Sequence, residues 1–218
     1  MRTTHTTFII AGHTVHNVTF DPTTFTDADL LWLPHYAELL NAGRKRKAEH
    51  LAGRIAAAHA LGAINERATL GIGPSGEPLW PEGVSGSITH SGAQAMAVVV
   101  CHQDALVGID CEAILPDHEA REIQDGIVDA QEAMYLTHSG YPFALALTLA
   151  FSAKESLFKA LFPKANTYMG FEWARVTELT EKTITLALSN PAGGYPEGKR
   201  FILIWQNNDT SVFTLLKA

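Results

Sequence analysis

The period of apolar and polar positions changes several times along the 218 residues. Over residues 44–61, Leu51, Ile55, Ala58 and Leu61 recur at helical spacing in an alanine-rich stretch without proline. This predicts an amphipathic helix that stops at Gly62. A turn-rich segment, 71–83, follows with Pro74, Gly76, Pro78 and Pro81. Strands are then predicted over 84–90 and 95–101, joined around Ser91-Gly92, and over 106–112. No element is predicted in the threonine-rich start, 1–8, or in the acidic stretch 116–132. A second, more apolar helix is predicted over 142–161, with Pro142 in its first turn and Pro163 just past its end. Strands follow over 172–179, 183–188, 200–205 and 211–216, separated by loops at Asn190-Pro191 and Gly193-Gly194. A helix followed by strands thus occurs twice. The expected fold is α+β, with two pseudo-symmetric halves, 1–105 and 106–218, each a helix on a small, mostly antiparallel sheet. A ligand site is expected at their seam.

Composition narrows the class. The hydrophobic fraction of 46% and charged fraction of 18% are those of a globular protein. No apolar run is long enough to span a bilayer, and the start has no signal-like apolar core. Cys101 and Cys111 are too few for a disulfide scaffold or a zinc cluster. A reducing cytoplasm fits, and peripheral attachment to a membrane needs no spanning segment. The net charge of −7 argues against nucleic acid as partner. Yet Arg44, Lys45, Arg46 and Lys47 are consecutive, with Arg54 on the same predicted helix. Such a patch on an acidic chain suits a small polyanion, or is simply a solvated helix start. Cations at a helix N-terminus oppose its dipole unless an anion compensates.

Three segments carry candidate chemistry. In Gly108-Ile-Asp-Cys-Glu, Asp110 and Glu112 alternate, so a strand aims both carboxylates to one face. Adjacent carboxylates repel unless a proton or cation intervenes, and hard oxygen donors suit Mg²⁺. Two solvated acids at a strand end would give the same pattern. In Phe151-Ser-Ala-Lys-Glu-Ser-Leu-Phe-Lys, Glu155 and Lys159 share one helical face, and Lys154 sits about 100° around the axis. That is either a surface ion pair or a ligand site inside a very apolar helix. In Ser87-Ile-Thr-His-Ser-Gly, His90 ends a strand beside a small-residue turn, as a structural histidine or as a phosphate contact with Thr89.

Taken in order, Ser85-Gly-Ser-Ile-Thr-His-Ser, Gly108-Ile-Asp-Cys-Glu and Phe151-Ser-Ala-Lys-Glu-Ser-Leu-Phe-Lys resemble the motifs of the surfactin-synthetase-activating type of 4′-phosphopantetheinyl transferase. Gly43-Arg-Lys-Arg-Lys-Ala-Glu-His-Leu-Ala-Gly-Arg, Ala11-Gly-His-Thr-Val-His and Asp29-Leu-Leu-Trp-Leu-Pro-His-Tyr are similar to the branch of that family serving enterobactin synthesis. The resemblance implies a monomer with coenzyme A between two α+β halves. It implies Mg²⁺ held by Asp110, Glu112 and Glu155. It further implies 3′-phosphate contacts from Arg46 and Arg54, and pyrophosphate contacts from Thr89, His90, Asp110, Lys154 and Lys159. Glu155, Lys154 and Lys159 are the expected catalytic residues. The implied reaction moves phosphopantetheine to a serine of an apo aryl or peptidyl carrier domain of a siderophore synthetase, leaving adenosine 3′,5′-bisphosphate. A fatty-acid acyl carrier protein is the alternative acceptor. A phosphohydrolase, or a binding module without catalysis, are the alternative functions. One departure stands out: the turn before the first motif, where many members carry a basic residue, reads Pro74-Ser-Gly-Glu-Pro, so it is left out of the expected site.

Overall fold

The computed structural model describes residues 1–165 and 167–218. Contacts divide the chain into two compact units, Met1–Ala105 and Leu106–Ala218.

The first unit opens with a hairpin of β1 (Arg2–Ile10) and β2 (His13–Asp21), fully paired and turned by Ala11 and Gly12 at positive φ. Sequence patterning misses it because β1 is an edge strand. It is exposed over most of its length, and nothing obliges its side chains to alternate. Helix α1 (Arg44–Ala63) comes next, two residues longer than expected because Gly62 continues the last turn. Strands β3 (Gly71–Ile72) and β4 (Pro78–Leu79) frame the turn-rich segment. Strands β5 (Ser85–Ser91) and β6 (Gln94–Val100) complete an antiparallel sheet of order β1-β2-β6-β5. Helix α1 buries Ala48, Leu51, Ala52, Ala56, Ala57, Ala60 and Leu61 in the core with Val18, Ala95 and Ala97. Its small residues permit close approach: a Cβ added to Gly53 would lie 2.9 Å from Cγ2 of Ile88 on β5.

The second unit begins with β7 (Val107–Ala113) and the short helices α2 (Asp117–Ile123) and α3 (Ala130–Thr137). Both helices lie where no element is expected from the sequence. For α3 the signal was legible, since Asp129 and Glu132 form a reciprocal capping box. Helix α4 (Phe143–Ala165) runs past its expected end. Pro163 lies inside its last turn, where its missing N–H deprives only the Lys159 carbonyl. Strands β8 (Ala174–Leu179), β9 (Thr183–Leu188), β10 (Arg200–Asn207) and β11 (Ser211–Lys217) join β7 in a sheet of order β7-β11-β10-β9-β8. Helix α4 packs across β7 and β11 with Leu147, Leu149, Ala150, Ala153, Leu157 and Leu161 buried. Among the described residues, no helix is long and apolar enough to cross a membrane.

Candidate active site

In the second unit the site grows from one close approach. Gly108 lies against the backbone carbonyl of Ser156, where a Cβ cannot fit. Strand β7 and α4 therefore meet almost backbone to backbone. Ser152 and Ser156 fix the crossing by hydrogen-bonding Thr214 Oγ1 on β11 at 2.9 and 2.8 Å. Thr214 is in register with Asp110. Because alternate residues share a face, Gly108, Asp110 and Glu112 all turn toward α4.

Asp110 is 3% exposed, and its Oδ1 accepts from Lys159 Nζ at 2.7 Å. The same ammonium donates to the Ile109 carbonyl at 3.2 Å. Burial raises the Glu112 carboxyl to about 7; the Asp110 charge adds to this, Lys159 opposes it, and Glu155 adds further. Glu155 is also raised, by burial first; Lys159 pulls it back and Asp110 pushes it up. Three carboxyl groups on β7 and α4 thus act on one another through space. Among the described residues, though, no three acidic, histidine or cysteine side chains converge as a metal shell. The donor types fit a hard cation, while the side chains stand apart, with the Lys159 ammonium on Asp110. Cys111 is 2% exposed and alternates away from the acids; burial, with Asp110 and Glu112 beside it, pushes its thiol up to about 12.

Lys154 is placed differently from the expectation that it meets phosphate. It is 5% exposed, and its ammonium lies close to three oxygens. These are the Ile127 carbonyl at 2.8 Å and Glu132 Oε1 and Oε2 at 2.9 and 3.2 Å. Glu132 in turn accepts from the Val176 and Asp129 amides, so the pair ties α3, α4 and β8 together. Burial lowers the Lys154 pKa despite that partner. Beside Glu155 opens a mostly apolar cleft walled by Phe158, Tyr168, Phe171 and Trp173. Sequence reasoning passed over this cleft and Glu132.

In the first unit, the basic run separates into roles. Arg44 donates to the Pro22, Thr23 and Phe25 carbonyls. Lys47 is buried against Asp27 at 3.1 Å, and Lys45 lies 3.8 Å from Glu49. Arg46 is exposed at the helix start. Arg54 is 5% exposed and donates to the Gly71 carbonyl at 3.3 Å, while its Nε finds no acceptor among the described residues. Burial lowers its pKa to about 10. A buried guanidinium with an unmet N–H leaves a donor without an acceptor. His90, on the α1-facing side of β5, is half exposed, with Nδ1 4.0 Å from Glu49. Thr89 alternates to the other face and is buried. In the 74–78 turn, Glu77 folds back to accept from the Ser75 amide at 2.9 Å.

Two family models match the chain: the 4′-phosphopantetheinyl transferase N-terminal domain over residues 35–100 and the 4′-phosphopantetheinyl transferase superfamily over 106–203. Enterobactin synthase component D of Salmonella typhimurium is 48% identical over 219 residues, covering 100% of this chain and 92% of that protein. The Escherichia coli K12 protein of the same name is 45% identical over 215 residues, covering 99% and 98%. The 4′-phosphopantetheinyl transferase PptT of Mycobacterium tuberculosis is 34% identical over 160 residues, covering 69% and 67%. With both units matched and similarity over its whole length, the chain belongs to the 4′-phosphopantetheinyl transferase superfamily.

Proposed function

We propose that the protein transfers the 4′-phosphopantetheine group of coenzyme A to a serine of apo aryl and peptidyl carrier domains in enterobactin synthesis, acting as a cytoplasmic, Mg²⁺-dependent monomer. The observation that carries this reading is that β7 and α4 bring Asp110, Glu112, Glu155 and Lys159 within electrostatic reach of one another, in a chain of this family. The substrate's chemistry matches the separate features. Arg54, with Arg46 and His90 near it, suits the 3′-phosphate and neighbouring phosphates. The cleft of Phe158, Tyr168, Phe171 and Trp173 suits the slender pantetheine arm.

In the reaction, the carrier serine oxygen bonds to the β-phosphorus of coenzyme A, and the bond to the leaving adenosine bisphosphate oxygen breaks. Such transfers depend on alignment and charge stabilisation more than on covalent help. Glu155, whose carboxyl is raised by burial, orients the serine hydroxyl and takes its proton. Lys159, which donates to Asp110 Oδ1 at 2.7 Å, stabilises the phosphate oxygens. Asp110, Glu112 and Glu155 would hold Mg²⁺, which when bound supplies charge neutralisation on the pyrophosphate. Lys154, bonded to the Ile127 carbonyl and paired with Glu132, holds α4 in place.

The test is mass spectrometry of an apo aryl carrier domain after incubation with coenzyme A and Mg²⁺. One phosphopantetheine on one serine is expected. Asp110→Ala and Glu155→Ala should each abolish transfer while the fold survives. Near-normal transfer by either variant sinks the acidic-site assignment. Phosphate release without carrier modification would make the protein a phosphohydrolase.

A further inference from the structure

Arg46, His50 and Arg54 recur every four residues on α1 and so line one stripe of the helix. His50 was given no role by the sequence. Its Nε2 lies 2.8 Å from Nε2 of His35, and the two rings stand edge to face. His35 comes from the turn preceding the short 3₁₀ segment Tyr36–Leu39 and is 7% exposed. Its Nδ1 is buried without a partner among the described residues, as is Nε of Arg54. Two buried nitrogens without hydrogen-bond partners among the described residues, on two almost wholly buried side chains, therefore belong to one cluster.

The charges facing this cluster come from several elements. His50 feels Arg54 and Arg46 of α1, His35, and His90 of β5. His35 feels Arg54 and Glu38. Glu49, of α1, lies 4.0 Å from His90. The Arg54 and Arg46 guanidiniums act on His50, while the two carboxylates act on its neighbours, Glu38 on His35 and Glu49 beside His90. A hydrogen bond between two neutral imidazoles uses one Nε2–H as donor and the other Nε2 as acceptor. A further proton would place an imidazolium beside Arg54 in a buried setting. Burial and these cations accordingly hold His50 down at about 3, and His35 is lowered as well. An anion reverses the sign of that balance. A dianion seated on Arg54 would attract the proton that the guanidinium repels, and a protonated pair would offer every ring nitrogen as a donor or shared donor.

We propose that His35 and His50 form the proton-accepting wall of the anion site around Arg54, so that the 3′-phosphate of coenzyme A binds there together with a proton taken up by the pair. The inference rests on the reading that Arg54 and Arg46 hold this phosphate, and it deepens that reading by assigning how the site selects its ligand. A phosphate monoester carries close to two charges at neutral pH, whereas a diester carries one and a hydroxyl none. Proton uptake rewards only the first, so the pair determines preference for coenzyme A over dephospho-coenzyme A.

The experiment is titration calorimetry of the full chain with coenzyme A and with dephospho-coenzyme A, both with Mg²⁺. It is run at pH 7.5 in buffers of different ionisation enthalpy. The two ligands share the pyrophosphate, so proton exchange at the acidic site cancels in their difference. Coenzyme A should take up more protons than dephospho-coenzyme A, by up to about one. Its affinity advantage should grow as pH falls from 8.5 to 7.5, by up to about tenfold per unit for a full proton. His50→Gln and His35→Gln should each remove the extra uptake and flatten that pH dependence, leaving dephospho-coenzyme A binding within about twofold. Using both variants guards against one of them failing to fold. If coenzyme A binds more tightly than its dephospho form but with no extra uptake, the inference falls and the role of Arg54 stands. Extra uptake that persists in both variants also overturns it. Equal affinity for the two ligands overturns the 3′-phosphate reading and the inference together.

Discussion

Replacing Lys154 by methionine separates a structural role from a catalytic one. In the folded protein its ammonium donates to the Ile127 carbonyl and to Glu132 Oε2 at 2.8 and 3.2 Å and lies 2.9 Å from Glu132 Oε1, with only 5% of the residue exposed. Lys154→Met leaves the Glu132 carboxylate, itself 5% exposed, with the Val176 and Asp129 amides as its remaining donors, at 2.8 and 3.1 Å. Removing one member of a buried ion pair costs about 3–5 kcal/mol, because the remaining charge is stranded. The two amides soften this, so the lower end, about 3 kcal/mol, is expected. That is a large share of a domain's typical ~5–15 kcal/mol. Converting Glu132 to glutamine as well removes the stranded charge, and Lys154→Met/Glu132→Gln should recover at least about 1 kcal/mol over Lys154→Met. Urea unfolding followed by circular dichroism measures both. Transfer from labelled coenzyme A, assayed at a temperature where Lys154→Met is still folded, should remain within about tenfold of the parent. A variant whose stability is unchanged within about 0.5 kcal/mol but which has lost transfer would refute the structural account and return Lys154 to the phosphates.

Other consequences can be measured in the same way. Gly108→Ala forces a methyl against the Ser156 carbonyl and within 3.1 Å of Ala160. It should destabilise by about 1–3 kcal/mol or more and lower transfer by displacing Asp110 from α4, both read from unfolding curves and kcat. Histidines 16, 35, 50 and 59 are all held below the ordinary 6.5, burial being the first cause for each. The folded state therefore binds fewer protons than the unfolded one. Their stabilisation is fully present above pH 6.5 and is lost as pH falls toward the folded values, about 3 for His50. Amide exchange, corrected for intrinsic rates, should show Met1–Ala105 losing protection between pH 7.5 and 5; unchanged protection would contradict the burial of these rings. Glu112 has the opposite sign. Raised to about 7, it disfavours the fold as pH climbs from 4.5 through that value. Added Mg²⁺ should accordingly raise Tm more at pH 8 than at pH 5.5.

Much of this protein is readable from its sequence because the determining interactions are local. The 3.6-residue period set α1 and α4, and the two-residue period put Asp110 and Glu112 on one face with Cys111 behind. Clustered motifs in order identified the family, since residue types and spacing suffice for that. Other features needed the chain folded. The β1–β2 hairpin lacks an alternating pattern because its edge strand faces solvent on most of its length. The basic run looked like one patch, but partners far away in sequence decided otherwise: Phe25 and Asp27 engage Arg44 and Lys47, leaving Arg46 exposed. Lys154 and Lys159 look equivalent in the motif, yet the direction each takes from α4 sends one to Glu132 and the other to Asp110. The sequence alone determined which groups are present and which face of its own element each occupies. Only the tertiary structure decided which charges meet, how deeply they are buried, and hence which are held by the fold and which remain for chemistry. Burial and charge pairing depend on distance in space, and spacing along the chain does not encode it.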